Sequence, residues 1–134
     1  MTEKPVKSDA DIDQALSSIS KQRTDGIFIL CTSLLRAPFK KIAAAAIQKR
    51  LALIGCDAEQ VSEQGALLSY DSDRYRMGQR GAWYVDRILK GAKPQDLPIE
   101  TPLYFELVIN LKTAKQIGLT IPPNVLARAV KVIK

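Results

Sequence analysis

The side chains able to do chemistry fall into three short groups, Thr32-Ser33, Gly55-Cys56-Asp57 and Tyr70-Asp71. Together they offer hydroxyls, one thiol, two carboxylates and an aromatic ring, an inventory that suits holding a small polar or aromatic molecule. It suits catalysis poorly. Asp57 and Asp71 are the one carboxylate pair in the groups, and no partner base supports them. The 134 residues contain no histidine, which removes most metal sites, triads and imidazole acid–base chemistry. No catalytic residue, metal or cofactor is therefore expected. The other role open to each of these residues is to cap a helix or satisfy a loop, and for Asp73 capping is the stronger reading. Cys31 and Cys56 stand 25 residues apart in apolar segments, make no metal motif, and read as buried free thiols. Gly55, Gly65, Gly78 and Gly81 fit neither of the phosphate-gripping glycine patterns. Trp83-Tyr84 reads as a partly buried packing pair rather than a stacking platform.

The charge pattern narrows the partners. Twenty basic and 14 acidic residues give +6 and a pI near 9.4. The bases gather in three groups, one around Arg36 to Arg50, one from Arg74 to Lys93 among aspartates, and one from Lys112 to the end. At helical spacing these are solvated faces, and no nucleic-acid motif accompanies them. The longest uncharged stretch, the 12 residues 116–127, falls well short of a membrane span, and the apolar run within 26–35 is shorter still. Residues 1–20 are polar and lack the apolar segment of a secretory signal.

The elements that must position the three groups follow from periodicity. Ser8 and Asp11 start a helix whose apolar residues Ile12, Ala15, Leu16 and Ile19 recur at helical spacing as far as about Arg23. The apolar run 27–31 predicts a strand covered on both faces. Pro38 fits a first helical position, and Phe39, Ile42, Ala43, Ala46 and Ile47 give that helix its stripe. Residues 51–54 and 66–70 predict two more strands, with a loop or single helical turn over 57–64. Asp71-Ser72-Asp73 caps a long helix from about Arg74 to Lys90, its inner face Met77, Gly78, Gly81, Ala82, Val85, Ile88 and Leu89 laid against a sheet. After a proline-rich connection, 104–109 is a fourth strand. Asn110 caps a helix over 111–117 closed by Gly118, and Pro122-Pro123 starts a last helix with Leu126, Ala129, Val130 and Ile133 inside. Strands alternating with helices imply an α/β fold of three layers, a mainly parallel sheet flanked by helices. In such sheets ligands lie beyond the carboxyl ends of the strands, which is where all three groups fall.

Gly65-Ala66-Leu67-Leu68-Ser69-Tyr70, the run 82–98 (AWYVDRILKGAKPQDLP), the run 105–115 (FELVINLKTAK) and Gly118-Leu119-Thr120-Ile121-Pro122-Pro123 resemble the substrate-binding proteins of bacterial ABC importers. The resemblance implies the second lobe of a type I periplasmic binding protein-like fold, without the first lobe, as a fragment or a short gene product. It implies a solute-binding α/β lobe over residues 1–100 and a returning C-terminal segment over 101–134, a strand and two helices packing on the lobe or on a partner. It implies binding of a small organic solute, amino-acid-like or aromatic, and delivery to a membrane permease driven by a cytoplasmic ATPase, in the periplasm or another extracytoplasmic space. The cleft-facing positions would be Thr32-Ser33, Gly55 to Asp57 and Tyr70-Asp71. This chain has Thr32-Ser33-Leu34 where the amino-acid-binding members tend to carry Thr-Asp-Asn, and Asp71 where related members often show glycine. A lobe without its partner keeps apolar surface exposed, which favours a homodimer, segment-swapped or not. The alternative is a stand-alone dimerising interaction or sensory domain of the same fold without a transport role.

Overall fold

The computed structural model describes residues 2–134. Helix α1 (Asp9–Ser18) starts at Ser8, whose Oγ accepts the Asp11 N–H at 3.3 Å. It stops well before Arg23. The Ser17 and Ser18 hydroxyls donate back to the Gln14 and Ala15 carbonyls, offering the backbone an alternative to further helix, and Ile19 is extended.

Strand β1 (Gly26–Phe28) is shorter than the apolar run and lies at the sheet edge, with Phe28 62% exposed, so the expected strand covered on both faces is an edge strand. Gly26 is needed there, because a Cβ would sit 2.9 Å from the Ala52 carbonyl oxygen of the neighbouring strand. After a single turn, α2 (Ser33–Arg36), Pro38 serves as the N-cap of α3 (Phe39–Gln48) rather than its first residue. Phe39, Ile42, Ala43 and Ala46 are buried along the expected stripe. Strand β2 (Ala52–Gly55) leads to α4 (Ala58–Ser62), and β3 (Leu68–Ser72) to α5 (Arg74–Leu89). A 3-10 turn (Pro94–Asp96) precedes β4 (Phe105–Asn110) and α6 (Leu111–Ile117), which Gly118 ends in the left-handed conformation at φ +74°.

The C-terminus departs from expectation. The last helix is one turn, α7 (Pro123–Leu126), and the chain then forms β5 (Lys131–Ile133). Val108, Ile109 and Asn110 pair in parallel with Lys131, Val132 and Ile133. The β-branched residues of this segment fit a pleated surface, and pairing satisfies the free edge of β4.

The sheet has the order β1-β2-β3-β4-β5. β1 with β2, β2 with β3 and β4 with β5 are parallel. The α/β class holds, with a mainly parallel sheet flanked by helices. The core centres on Phe39, Leu51, Leu53 and Val61, and a smaller cluster joins Leu67, Ala114 and Ile117.

Two compact units divide the chain. One runs to Tyr70 and resumes at Leu107; the other is Asp71–Glu106. In the second unit the face of α5 expected to lie on a sheet is open. Met77, Val85, Ile88 and Leu89 are exposed, and a Cβ at Gly78 or Gly81 would meet nothing within 4 Å. The helix uses another flank instead, packing onto the segment that returns toward β4. Tyr84 Oη donates to the Pro98 carbonyl at 2.5 Å, Arg80 forms a fork with Glu100, and the Arg76 guanidinium stacks 4.0 Å from the Tyr104 ring. Trp83 and Tyr84 meet edge-on at 5.1 Å, with Arg80 over the Trp83 ring. No helix of the described residues is long and apolar enough to cross a membrane.

Candidate functional site

The carboxyl ends of β1 and β2 lie side by side, and the end of β2 meets β3 at Ser69. Phe28 pairs with Ile54, and Gly55 pairs with Ser69. Beyond the first two ends is a cavity of about 270 Å³ lined by Ile29, Cys31, Thr32, Ser33, Leu35, Arg36, Cys56 and Gln60. Thr32 is the N-cap residue of α2, but its side chain makes no capping bond, and Ser33 opens that turn; both are exposed. Their hydroxyls are therefore available to a ligand.

Cys31 and Cys56 are joined in a disulfide with their Cα atoms 5.7 Å apart. They are not free thiols. The two residues follow the ends of neighbouring parallel strands, so the register brings them level, and the bond closes one wall of the cavity. Two cysteines each a few residues past adjacent strands were the signal available in the sequence.

Gly55 ends β2 against Gln60. A Cβ there would lie 3.1 Å from Gln60 Oε1 and from Ala66 Cβ, so the missing side chain lets Gln60 close on the strand and accept the Cys56 N–H at 2.6 Å. Asp57 is buried and does two jobs. Its Oδ1 accepts the Gln60 N–H at 3.0 Å as the cap of α4, and its Oδ2 accepts from Arg36 Nη2 at 3.1 Å. It stands behind the cavity rather than in its lining. Tyr70, in the middle of β3 and 64% exposed, does not line this cavity either. Asp71 accepts from the Ser72 N–H at 2.8 Å and from Arg74 Nε at 3.1 Å. The structure thus brings Thr32, Ser33 and Cys56 into one cavity, with Gly55 and Asp57 shaping it from behind.

Besides Ile29, Cys31 and Leu35, two residues with long polar side chains line the cavity without a sequence signal that marks them, Arg36 and Gln60. Arg36 reads as one of a group of solvated charges, although it stands three residues after Ser33 and so shares a side of the same turn. Gln60, buried in α4, has no motif to announce it. Among the described residues no three His, Cys, Asp or Glu side chains gather as a metal site.

Residues 1–133 match the family model described as ABC transporter substrate binding protein. A tyrosine-binding protein of Clostridioides difficile is 23% identical over 119 residues, 89% of this chain and 34% of that protein. A conserved domain protein of Vibrio cholerae O1 biovar El Tor superposes with a TM-score of 0.80 at 34% identity, over 93% of this chain and 42% of that one. The ABC domain of a Streptococcus pneumoniae protein in complex with L-Trp gives a TM-score of 0.75 at 26% identity, over 92% and 41%. The chain thus spans about a third to two-fifths of the length of these relatives.

Proposed function

Because the chain belongs to the ABC transporter substrate-binding protein family, we propose that it binds a small organic solute as the non-catalytic recognition part of an ABC-type uptake system. The observation that carries this reading is the cavity beyond the ends of β1 and β2, with the hydroxyls of Thr32 and Ser33 uncapped at its wall. The tyrosine and tryptophan named in two relatives support an aromatic or amino-acid-like solute. A catalytic role finds no support in the carboxylates, since Asp57 is tied to Arg36 and the Gln60 N–H, and Asp71 to Ser72 and Arg74. Thr32, Ser33 and Cys56 face the solute, Gly55 and Asp57 shape the wall, and Tyr70 and Asp71 are further contact candidates by their place on β3. Residues 1–100 form the solute-binding lobe and 101–134 its returning segment.

The partner receiving the solute is a membrane permease, and the setting is extracytoplasmic. The Cys31–Cys56 disulfide supports the setting, because such bonds persist in oxidising compartments. A second reading, a stand-alone dimerising interaction domain, is favoured by one observation, the open apolar face of α5. Native mass spectrometry of the purified chain tests both. A retained small molecule supports solute binding; a ligand-free dimer that gains no mass with L-tryptophan or L-tyrosine favours the second reading.

A further inference from the structure

The cavity's lining holds one charged side chain, Arg36, and no carboxylate. The Arg36 side chain is 54% exposed, while its partner Asp57 is 8% exposed and stands behind it. The ion pair is therefore layered, with the positive member outward. A guanidinium presents five donors in a planar fork, and Asp57 takes the contact at Nη2. Thr32 and Ser33 add hydroxyls on the same wall. Ile29, Leu35 and the disulfide make most of the remaining surface apolar, with Gln60 its one polar side chain.

Resting on the solute-binding reading of this cavity, we propose that its wall takes the anionic end of a small carboxylic acid with an apolar body. Arg36 receives the carboxylate, as the planar fork matches two carboxylate oxygens. Thr32 and Ser33 donate the flanking hydrogen bonds. An ammonium group gains nothing from this wall: the nearby acid, Asp57, is already held by Arg36 and the Gln60 N–H, and a cation reaching it would face the guanidinium first. The solute class is thus defined by its carboxylate, and an amino group on it is not read here.

Three probes that differ only at the two ends test this: L-tryptophan, indole-3-propionate without the ammonium, and tryptamine without the carboxylate. Binding to the disulfide-intact chain is followed by two-dimensional NMR, at the amides of Thr32, Ser33 and Cys56 and at Arg36 Nε–H. Indole-3-propionate should bind within about threefold of L-tryptophan, and tryptamine at least about tenfold more weakly, the scale of one charge-assisted hydrogen bond. Arg36→Lys keeps the charge beside Asp57 and loses the fork, so indole-3-propionate should weaken severalfold while the urea midpoint stays near that of the parent. Tryptamine binding as tightly as indole-3-propionate, with shifts at Thr32 and Ser33, overturns the carboxylate assignment and leaves the site standing. Absence of shifts at these residues with all three probes overturns the site reading, and this assignment with it.

Discussion

Asn110 Nδ2 donates to the Val61 carbonyl at 2.8 Å, across 49 positions of sequence. The same side chain accepts the Thr113 N–H at 3.0 Å, capping α6 at the point where β4 ends. One buried amide thus fixes the end of a strand, the start of a helix and the last turn of α4. Replacing it by alanine leaves a buried carbonyl and a helix N–H without partners, so Asn110→Ala should cost about 2–4 kcal/mol. Urea unfolding measures this; a loss under about 0.5 kcal/mol, the scale of an ordinary surface change, would show the pair to be incidental.

The disulfide closes a loop of 25 residues of sequence separation. Reduction, or Cys31→Ser, should lower stability by about 3 kcal/mol. Thiol alkylation of the unfolded chain should give no adduct before reduction and two after it. Labelling before reduction contradicts the bond.

Gly55→Ala places a Cβ 3.1 Å from both Gln60 Oε1 and Ala66 Cβ. Overpacking of this kind should cost about 1–3 kcal/mol. The Cys56 amide, which donates to Gln60, should also exchange faster with solvent. A variant as stable as the parent, with an unmoved Cys56 amide signal, refutes the close fit.

Glu100 titrates below the ordinary glutamate value of 4.5, first because Arg80 donates hydrogen bonds to its carboxylate and then by the charge of Arg80. A depressed carboxyl contributes stability above its unfolded pKa and loses it as pH falls through the folded value, so this pair helps at neutral pH and fades in acid below about 4.5. Both groups are solvent-exposed, and salt weakens the effect. NMR titration should find the Glu100 midpoint rising toward 4.5 in Arg80→Gln; an unchanged midpoint removes Arg80 as the cause.

The open face of α5 presents Met77, Val85, Ile88 and Leu89 along a stripe with Gly78 and Gly81. If a second copy covers this face, Val85→Lys should shift sedimentation from dimer to monomer and leave the sheet's far-ultraviolet circular dichroism unchanged. A chain that sediments as a monomer before the change excludes the pairing.

What the sequence made legible was local. The stripe of α3, the Asn110 cap and the Gly118 stop depend on neighbours within a turn or two, and each stands where periodicity and capping put it. Lys131–Ile133 was illegible, because a three-residue strand exists through the edge it pairs with. The apolar stripe of α5 is legible as a stripe, yet a stripe does not name what covers it, and the sheet expected there does not. In the site, Thr32 and Ser33 were found by their place after a strand, whereas Arg36 needed Asp57, 21 residues onward, to fix its direction.

Among the described residues of Asp71–Glu106 none is buried. A segment without an interior has little to hold its helix closed except surface ion pairs, ring stacking and its own backbone bonds. Amide protons there should trade with deuterium through local openings that leave Phe39, Leu53 and Ile109 undisturbed. Two exchange regimes should coexist in one small protein, a fast one across α5 and a slow one set by global unfolding. A protease would find its first cut in the fast region, long before the rest of the chain yields.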